Sequence, residues 1–234
     1  MPQDTIANSS AAHLRTLYEH LVTAYGPQKW WPAKTPLEVI LGAYLTQNTS
    51  WRGVERSIEN LRRAGALTLA GLRKTCPEEL RLLIRPSGYM LRKAAAIRAF
   101  VEFLDREHAG SLRRLAAVPT PHLRQQLLQL PGIGPETADA ILLYALGHPV
   151  MVVDEYFRRV ASRHDLTSER PRYDELQQLA EKAFAEDNTS EHLQHFNEFH
   201  ALMVAVGKRH CGPTPKCAGC PLEFDLARKN SRQI

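Results

Sequence analysis

The sequence lacks any run of about 20 apolar residues, which is the length that a membrane-spanning helix requires. Residues 1–10 are polar and contain no hydrophobic segment of the kind that secretory signals carry. Internal repeats and low-complexity stretches are absent as well. We therefore expect a folded cytoplasmic protein that does not contact a membrane.

Strict alternation of apolar and polar residues, the pattern of a half-buried β-strand, is nearly absent too. The stretch 150–153 is rich in β-branched residues, but four residues are weak support for a strand. The pattern typical of helices, with apolar residues three and four positions apart, occurs in the segments 11–25, 36–45, 54–64, 91–108 and 192–206. The sequence therefore predicts an all-α fold.

The predicted helices divide into two helical domains. Residues 36–147 form the first, which we expect to be a helical barrel that contains a hairpin of two helices. The second combines residues 1–35 with residues 148–234 and includes a cysteine loop near the C-terminus.

Positive charge is in modest excess, with 30 Lys and Arg against 25 Asp and Glu. Residues 51–100 carry eleven basic and four acidic side chains, and residues 201–234 carry six and two. Two basic stretches suit a polyanionic partner such as nucleic acid, although solvated helix faces produce the same pattern.

The segment 120–147 reads TPHLRQQLLQLPGIGPETADAILLYALG and predicts two helices joined by a tight turn. Pro135 suits the first turn of the second helix, and Gly147 can end that helix. Gly132 and Gly134 permit positive φ and leave the backbone open to a ligand. The amides at the start of the second helix can then bind a phosphate without a basic side chain. A plain two-helix hairpin is the alternative.

The stretch LPGIGPETADAILLYALGHPVMVVDEYFRRVASR resembles the helix-hairpin-helix and the following catalytic loop of the endonuclease III superfamily. The resemblance extends from about Trp30 to Cys220. The pattern of its monofunctional 3-methyladenine DNA glycosylases is echoed in WWP, LEVILGAYLTQNTSW, RPSGYMLRKA and PVMVVDEY. The resemblance implies a monomeric base-excision-repair enzyme that flips a damaged base out of double-stranded DNA and cleaves its glycosidic bond. It also implies DNA contact at the hairpin residues Leu130, Gly132, Ile133 and Gly134.

By this resemblance, Asp154 matches the catalytic aspartate of the family. Cleavage of an N-glycosidic bond builds positive charge on the sugar, which a fixed carboxylate can stabilise. An ordinary helix N-cap is the alternative role for this aspartate. Bifunctional members carry a nucleophilic lysine two residues after the second hairpin glycine, and here that position is Glu136. We therefore expect a monofunctional glycosylase. A bifunctional glycosylase/lyase and a non-catalytic helix-hairpin-helix DNA-binding protein are the alternatives.

Three tryptophans, Trp30, Trp31 and Trp51, match base-pocket positions of the methyladenine glycosylases. Alkylated purines carry positive charge, so that stacking on an electron-rich ring adds a cation–π attraction. The resemblance therefore favours an alkylated base as the substrate. Packing in a hydrophobic core is the alternative role for these rings.

Gln47 matches the family residue that inserts into the duplex after the base has left. An amide side chain can form hydrogen bonds with the base that has lost its partner. Asn48 is expected to act at the same turn, and Lys93 is a candidate phosphate contact, together with Arg52 and Arg92.

Cysteine is scarce, and three of the four cysteines form the motif Cys211-x5-Cys217-x2-Cys220. A nearly identical spacing, completed by a fourth cysteine, holds a [4Fe–4S] cluster in many endonuclease III relatives. Here the fourth position is Leu226, which cannot bind iron. The sequence leaves open a cluster with a non-cysteine or open fourth site, a zinc ion held by three cysteines and a His or Asp, and free thiols.

Overall fold

The computed structural model describes residues 2–28, 33–188 and 190–226. These residues form helices and turns without a β-strand, which confirms the predicted all-α fold. No helix in the described part of the chain is both long and apolar enough to cross a bilayer. The stretch 150–153 forms neither a helix nor a strand, and all four of its residues are buried.

The chain divides into two compact units. The first, here called the hairpin unit, comprises residues 31–148, and the second, the terminal unit, comprises residues 1–30 and 149–234. The sequence-based domains had their boundaries at residues 35/36 and 147/148.

The helices of the hairpin unit are α2 (Pro36–Leu45), α3 (Trp51–Arg63), α4 (Leu69–Lys74), α5 (Pro77–Leu83), α6 (Met90–His108), α7 (Leu112–Ala116), α8 (Thr120–Leu128) and α9 (Pro135–Ala140). A 3₁₀ turn (Arg85–Ser87) precedes α6, and a π-helical turn (Ile141–Ala145) extends α9. The terminal unit contains α1 (Pro2–Tyr25), α10 (Glu155–Arg163), α11 (Tyr173–Ala183) and α12 (His192–Arg209).

Helix α2 is the central helix of the hairpin unit. Its residues from Leu37 to Leu45 are all buried, as expected for a helix that is apolar on every side. The Thr35 side chain caps the helix by accepting a hydrogen bond from the Glu38 amide at 3.2 Å. The helix packs against α3, α6, α9 and the π-helical turn, and its Tyr44 ring meets Phe100 of α6 edge-on at 6.2 Å between centroids. The 46–50 turn therefore emerges from a rigid core.

An aromatic cluster forms the core of the terminal unit. The Phe199 ring of α12 meets Phe157 of α10 edge-on at 5.0 Å, and Phe184 meets Tyr18 of α1 at 5.0 Å. Helices α10 and α12 approach closely because α12 has Gly207 at their contact, where a Cβ atom would lie only 2.2 Å from the Tyr156 ring. This packing holds the N-terminus of α10, which follows Asp154, in place.

Candidate DNA-binding and catalytic residues

The predicted hairpin is present as α8, a turn over residues 129–134, and α9. Gly132 has φ +76, where a side chain would be strained, whereas Gly134 is extended at φ −97. Of the two glycines that permit positive φ, only Gly132 adopts it. A Cβ atom at Gly134 would meet nothing within 4 Å, so this glycine borders open space. The turn therefore exposes its backbone at both glycines.

The two aliphatic side chains of the hairpin turn, Ile133 and Leu130, are less exposed than its two glycines. Ile133 is buried, with 8% of its surface exposed, and it anchors the turn in the core. Leu130 is half-buried. A DNA contact at Ile133 is therefore restricted to its backbone, while Leu130 keeps some accessible side-chain surface.

Gln47 lies in the turn after α2, and its side chain is directed to the hairpin. The amide nitrogen donates to the Gly132 carbonyl at 2.7 Å and to the Thr137 hydroxyl at 3.0 Å. Insertion of Gln47 into a duplex would break both hydrogen bonds, and its role as the wedge stays a prediction. The neighbouring Asn48 is exposed and has φ +50.

The expectation that Lys93 contacts phosphate does not fit its position. Its side chain is 5% exposed, and its ammonium donates to the carbonyls of Leu45 and Ser87 and to the Thr49 hydroxyl. All three ammonium hydrogens thus have acceptors inside the protein. Burial lowers the pKa of Lys93 to about 8. Arg52 and Arg92, in contrast, are exposed.

Glu136 occupies the first turn of α9 and is exposed. A carboxylate at this end of a helix is favoured by the helix dipole. It has no amine and cannot form an imine with a sugar. The position of the family's lysine is therefore occupied by a group of opposite charge.

Asp154 is the N-cap of α10 in the terminal unit. One carboxylate oxygen accepts the Phe157 amide at 2.7 Å, and the other lies 3.5 Å from Nε2 of His200 on α12. Both side chains are buried, with 8% of Asp154 and 5% of His200 exposed. The capping role is thus observed, and the cap holds the carboxylate in one orientation.

Trp51 begins α3 and has 37% of its surface exposed. It lines a cavity of about 340 Å³ together with three glutamates, Glu38, Glu55 and Glu59, and with Arg62, which pairs with Glu38 at 2.9 Å and with Glu59 at 2.6 Å. The Arg62 guanidinium offsets part of the negative charge that the glutamates give this wall. The other predicted pocket residues, Trp30 and Trp31, lie outside the described residues.

The cysteines of the C-terminal motif line one small cavity of about 30 Å³, whose wall also includes Leu226 and His164. Cys211 is buried, and Cys217 and Cys220 are half-buried. Within the described residues, no group of three or more His, Cys, Asp and Glu side chains is arranged to hold a metal ion. The site therefore does not fit a four-thiolate cluster, which needs a ligand where Leu226 lies.

Two polar groups stabilise this loop. Arg163 donates to the Cys211 sulfur at 3.0 Å and to the carbonyls of Gly212 and Pro213 at 2.8 and 2.9 Å. Asp225, a candidate non-cysteine ligand, instead contacts His164 and His13, each at 2.7 Å. Burial alone would raise the pKa of Asp225, but these hydrogen bonds hold it below its ordinary value.

Sequence reasoning missed two residues of these sites. Tyr89 is 62% exposed and has φ +47, and its ring lies 5.9 Å from the Lys93 ammonium. Pro86 and Gly88 break the helical pattern in the sequence, yet they do not show that the next ring faces solvent. His200 was missed because a histidine within an apolar helical pattern gives no signal of its neighbours.

The described residues thus combine an exposed glycine hairpin between two helices with a capped aspartate that follows the second of these helices. Residues 41–186 match the HhH-GPD superfamily of base excision DNA repair proteins. The chain belongs to this superfamily and is a DNA glycosylase of base excision repair.

Among its relatives, a putative DNA repair glycosylase of Methanocaldococcus jannaschii is 40% identical over 91% of this chain and 95% of its own. Endonuclease III of Thermotoga maritima is 28% identical over 80% of this chain and 81% of its own. The structure of H. pylori 3-methyladenine DNA glycosylase (MagIII) bound to 1,N6-ethenoadenine has 32% identity and a TM-score of 0.72, and covers 86% of this chain and 97% of that one. A non-covalent endonuclease III–DNA complex, at 22% identity and a TM-score of 0.76, has the same fold over 94% of this chain and 98% of its own.

Proposed function

We propose that the protein is a monofunctional DNA glycosylase that flips an alkylated base out of double-stranded DNA and hydrolyses its glycosidic bond. The observation that carries this proposal is Glu136, which occupies the position where bifunctional members have their lysine. Because a carboxylate cannot form an imine with the sugar, we propose that water completes the reaction. The product is then free base and an abasic site in an uncut strand.

Asp154 supplies the electrostatic part of the reaction. As the glycosidic bond breaks, the sugar gains positive charge, and a carboxylate of fixed orientation stabilises it. The Phe157 amide provides that orientation by holding one carboxylate oxygen at 2.7 Å. The fixed cap means that the carboxylate needs little reorganisation during the reaction.

The hairpin unit grips DNA in this proposal. The open backbone around Gly132 and Gly134 binds a phosphate, and the exposed Arg52 and Arg92 add charge contacts. Gln47 and Asn48 fill the space that the flipped base leaves, as the resemblance implies. Tyr89, an exposed ring beside this turn, gives a base a surface on which to stack.

An alkylated purine is the proposed substrate class because of the cavity beside Trp51. Its wall combines one aromatic ring with three glutamates and Arg62, and the acidic side chains outnumber the basic one, so a base with a positive charge is favoured over a neutral one. MagIII, which is 32% identical to this chain, is a 3-methyladenine glycosylase. Trp30 and Trp31 are proposed as further pocket residues on the resemblance alone.

Release of free bases from methylated double-stranded DNA tests this function. Wild type is compared with Asp154→Asn and with Asp154→Ser, since both replacements can still cap α10 while removing the charge. We expect base release to fall on the order of 100-fold in both variants, with little change in stability. Tight binding without release by the wild type would instead establish a non-catalytic DNA-binding protein.

Borohydride trapping separates the monofunctional enzyme from the bifunctional alternative. A monofunctional enzyme forms no imine, so no covalent adduct should be trapped on lesion DNA and strands should stay uncut until alkali is added. A trapped adduct together with strand cutting would show that another lysine acts as the nucleophile.

Gel filtration with and without DNA tests the proposal that the protein acts as a monomer.

No step of this reaction is assigned to a metal. Endonuclease III relatives suggest a [4Fe–4S] cluster, but Leu226 in place of the fourth thiolate does not fit one, and a zinc ion would need a fourth ligand too. Iron and zinc analysis of freshly purified protein, with its visible spectrum, distinguishes a three-thiolate cluster, zinc and free thiols.

A further inference from the structure

Two exposed turns of the hairpin unit are joined by a buried polar network. One is the 46–50 turn after α2, and the other is the 85–89 turn before α6. The Thr49 hydroxyl donates to the Ser87 carbonyl, and the Ser87 hydroxyl donates to Ser57 on α3 at 2.7 Å. Ser57 and Ser87 are fully buried. The two turns are thus held by hydrogen bonds shielded from water.

The Lys93 ammonium lies between the two turns. It donates to Leu45 and Thr49, at the first turn, at 2.7 and 2.9 Å, and to Ser87 of the second turn at 2.7 Å. An ammonium has three hydrogens in a tetrahedral arrangement, and three acceptors use all of them. Taking a charged amine out of water is costly, and the three hydrogen bonds offset that cost. An apolar residue here would leave all three acceptors without the donor that now joins the two turns.

Each turn presents one exposed residue in the left-handed conformation. Asn48 has φ +50 and Tyr89 has φ +47, backbone angles that residues other than glycine rarely adopt. Such conformations persist when their surroundings hold them, and they cluster at functional positions. Lys93 contacts both turns within one residue of Asn48 and two residues of Tyr89.

We propose that Lys93 is a positioning residue, whose buried ammonium locks the 46–50 and 85–89 turns into one rigid surface that holds Asn48 and Tyr89 against the DNA. The inference rests on the proposed function, since the surface is useful only if a base is flipped. A loose surface would let the flipped base return to the stack. Lys93 thus acts on base release through the two turns and touches neither DNA nor base.

The test combines amide hydrogen exchange with base release, using the full chain at pH 7. Lys93→Met keeps an unbranched side chain that is one atom shorter and removes its three donors. Lys74→Met is the matched control, because Lys74 is an exposed lysine of the same unit. We expect Lys93→Met to speed amide exchange in both turns, and to slow single-turnover base release, by about tenfold each. The control should change neither.

A second variant, Thr49→Val, covers the case in which Lys93→Met does not fold. It removes one of the three acceptors while keeping the shape of the side chain, and it should show the same two changes at smaller size. The proposal would be overturned if amide exchange in both turns of either variant stayed at the wild-type rate. It would also be overturned if amide exchange became faster while base release stayed unchanged. If the wild type releases no base, the proposed function fails, while exchange still reports whether Lys93 locks the turns.

Discussion

At the scale of single residues, burial decides what a charged side chain does. Lys93 has the charge and the position in the sequence of a phosphate contact, yet its three donors are used inside the protein. Arg92, its neighbour on the same helix, is exposed and remains available to DNA. Because α6 turns by about 100° per residue, adjacent residues have opposite surroundings.

Gly134→Ala tests the open backbone of the hairpin. Gly134 has φ −97 and a Cβ there would meet nothing within 4 Å, so alanine fits and stability should be unchanged or slightly raised. The added methyl group should obstruct a phosphate and weaken DNA binding by roughly tenfold, the value of one hydrogen bond to a charged group. Thermal melts and DNA titrations measure the two effects. Unchanged affinity would show that the phosphate lies elsewhere.

The pH dependence of stability tests the burial of Lys93. Its pKa is about 8 in the folded protein against 10.5 for an ordinary lysine. Between these two values the unfolded chain binds more protons, so the contribution of Lys93 to the free energy of unfolding rises with pH. This contribution is complete above pH 10.5 and is lost as the pH falls through 8.

Urea unfolding of the wild type and of Lys93→Met across this pH range measures the difference. The wild type should gain stability relative to the variant as the pH rises from about 8. A constant or falling difference would contradict the lowered pKa of Lys93.

At the scale of elements, an internal ion pair joins the two helices of the hairpin. Arg124 of α8 donates to both carboxylate oxygens of Asp139 on α9, at 2.6 and 2.9 Å. Asp139 is fully buried. Of the two acidic residues in the segment 120–147, Asp139 is therefore neutralised in the interior, and only Glu136 is exposed.

Arg124→Met should destabilise the protein because it leaves the buried Asp139 charge without its guanidinium. Removing one partner of a buried pair costs about 3–5 kcal/mol, and the lower part of that range applies because Arg124 is partly exposed. Urea unfolding measures the loss. The double variant Arg124→Met/Asp139→Leu should recover much of it, and a double variant as unstable as the single one would contradict this explanation.

At the scale of the whole molecule, the net charge of +5 supports association with DNA without specifying a site. The affinity for undamaged DNA should fall linearly with salt on logarithmic axes, with a slope of about −0.9 for each phosphate contacted. Arg52→Gln and Arg92→Gln should each reduce this slope by about 1, whereas Lys74→Gln should leave it unchanged. An unchanged slope in both arginine variants would place the phosphate contacts elsewhere.

Much of the fold could be read from the sequence because local patterns produce it. The three- and four-residue spacing of apolar residues predicted the all-α architecture, and the breakers around Gly132 and Pro135 predicted the hairpin. The order of motifs predicted the superfamily, to which the chain belongs. The absence of a nucleophilic amine at Glu136 could also be read from the sequence, since it is a property of the residue type alone.

Only the tertiary structure decided what depends on residues distant in sequence. It placed Lys93 between two turns, joined Gln47 to the hairpin and brought His200 to 3.5 Å from Asp154. Helical periodicity tells which face of a helix is buried, but it does not tell which polar group on another helix lies opposite. Fold and chemistry class therefore follow from the order of residues, while the partner of each polar side chain follows from packing.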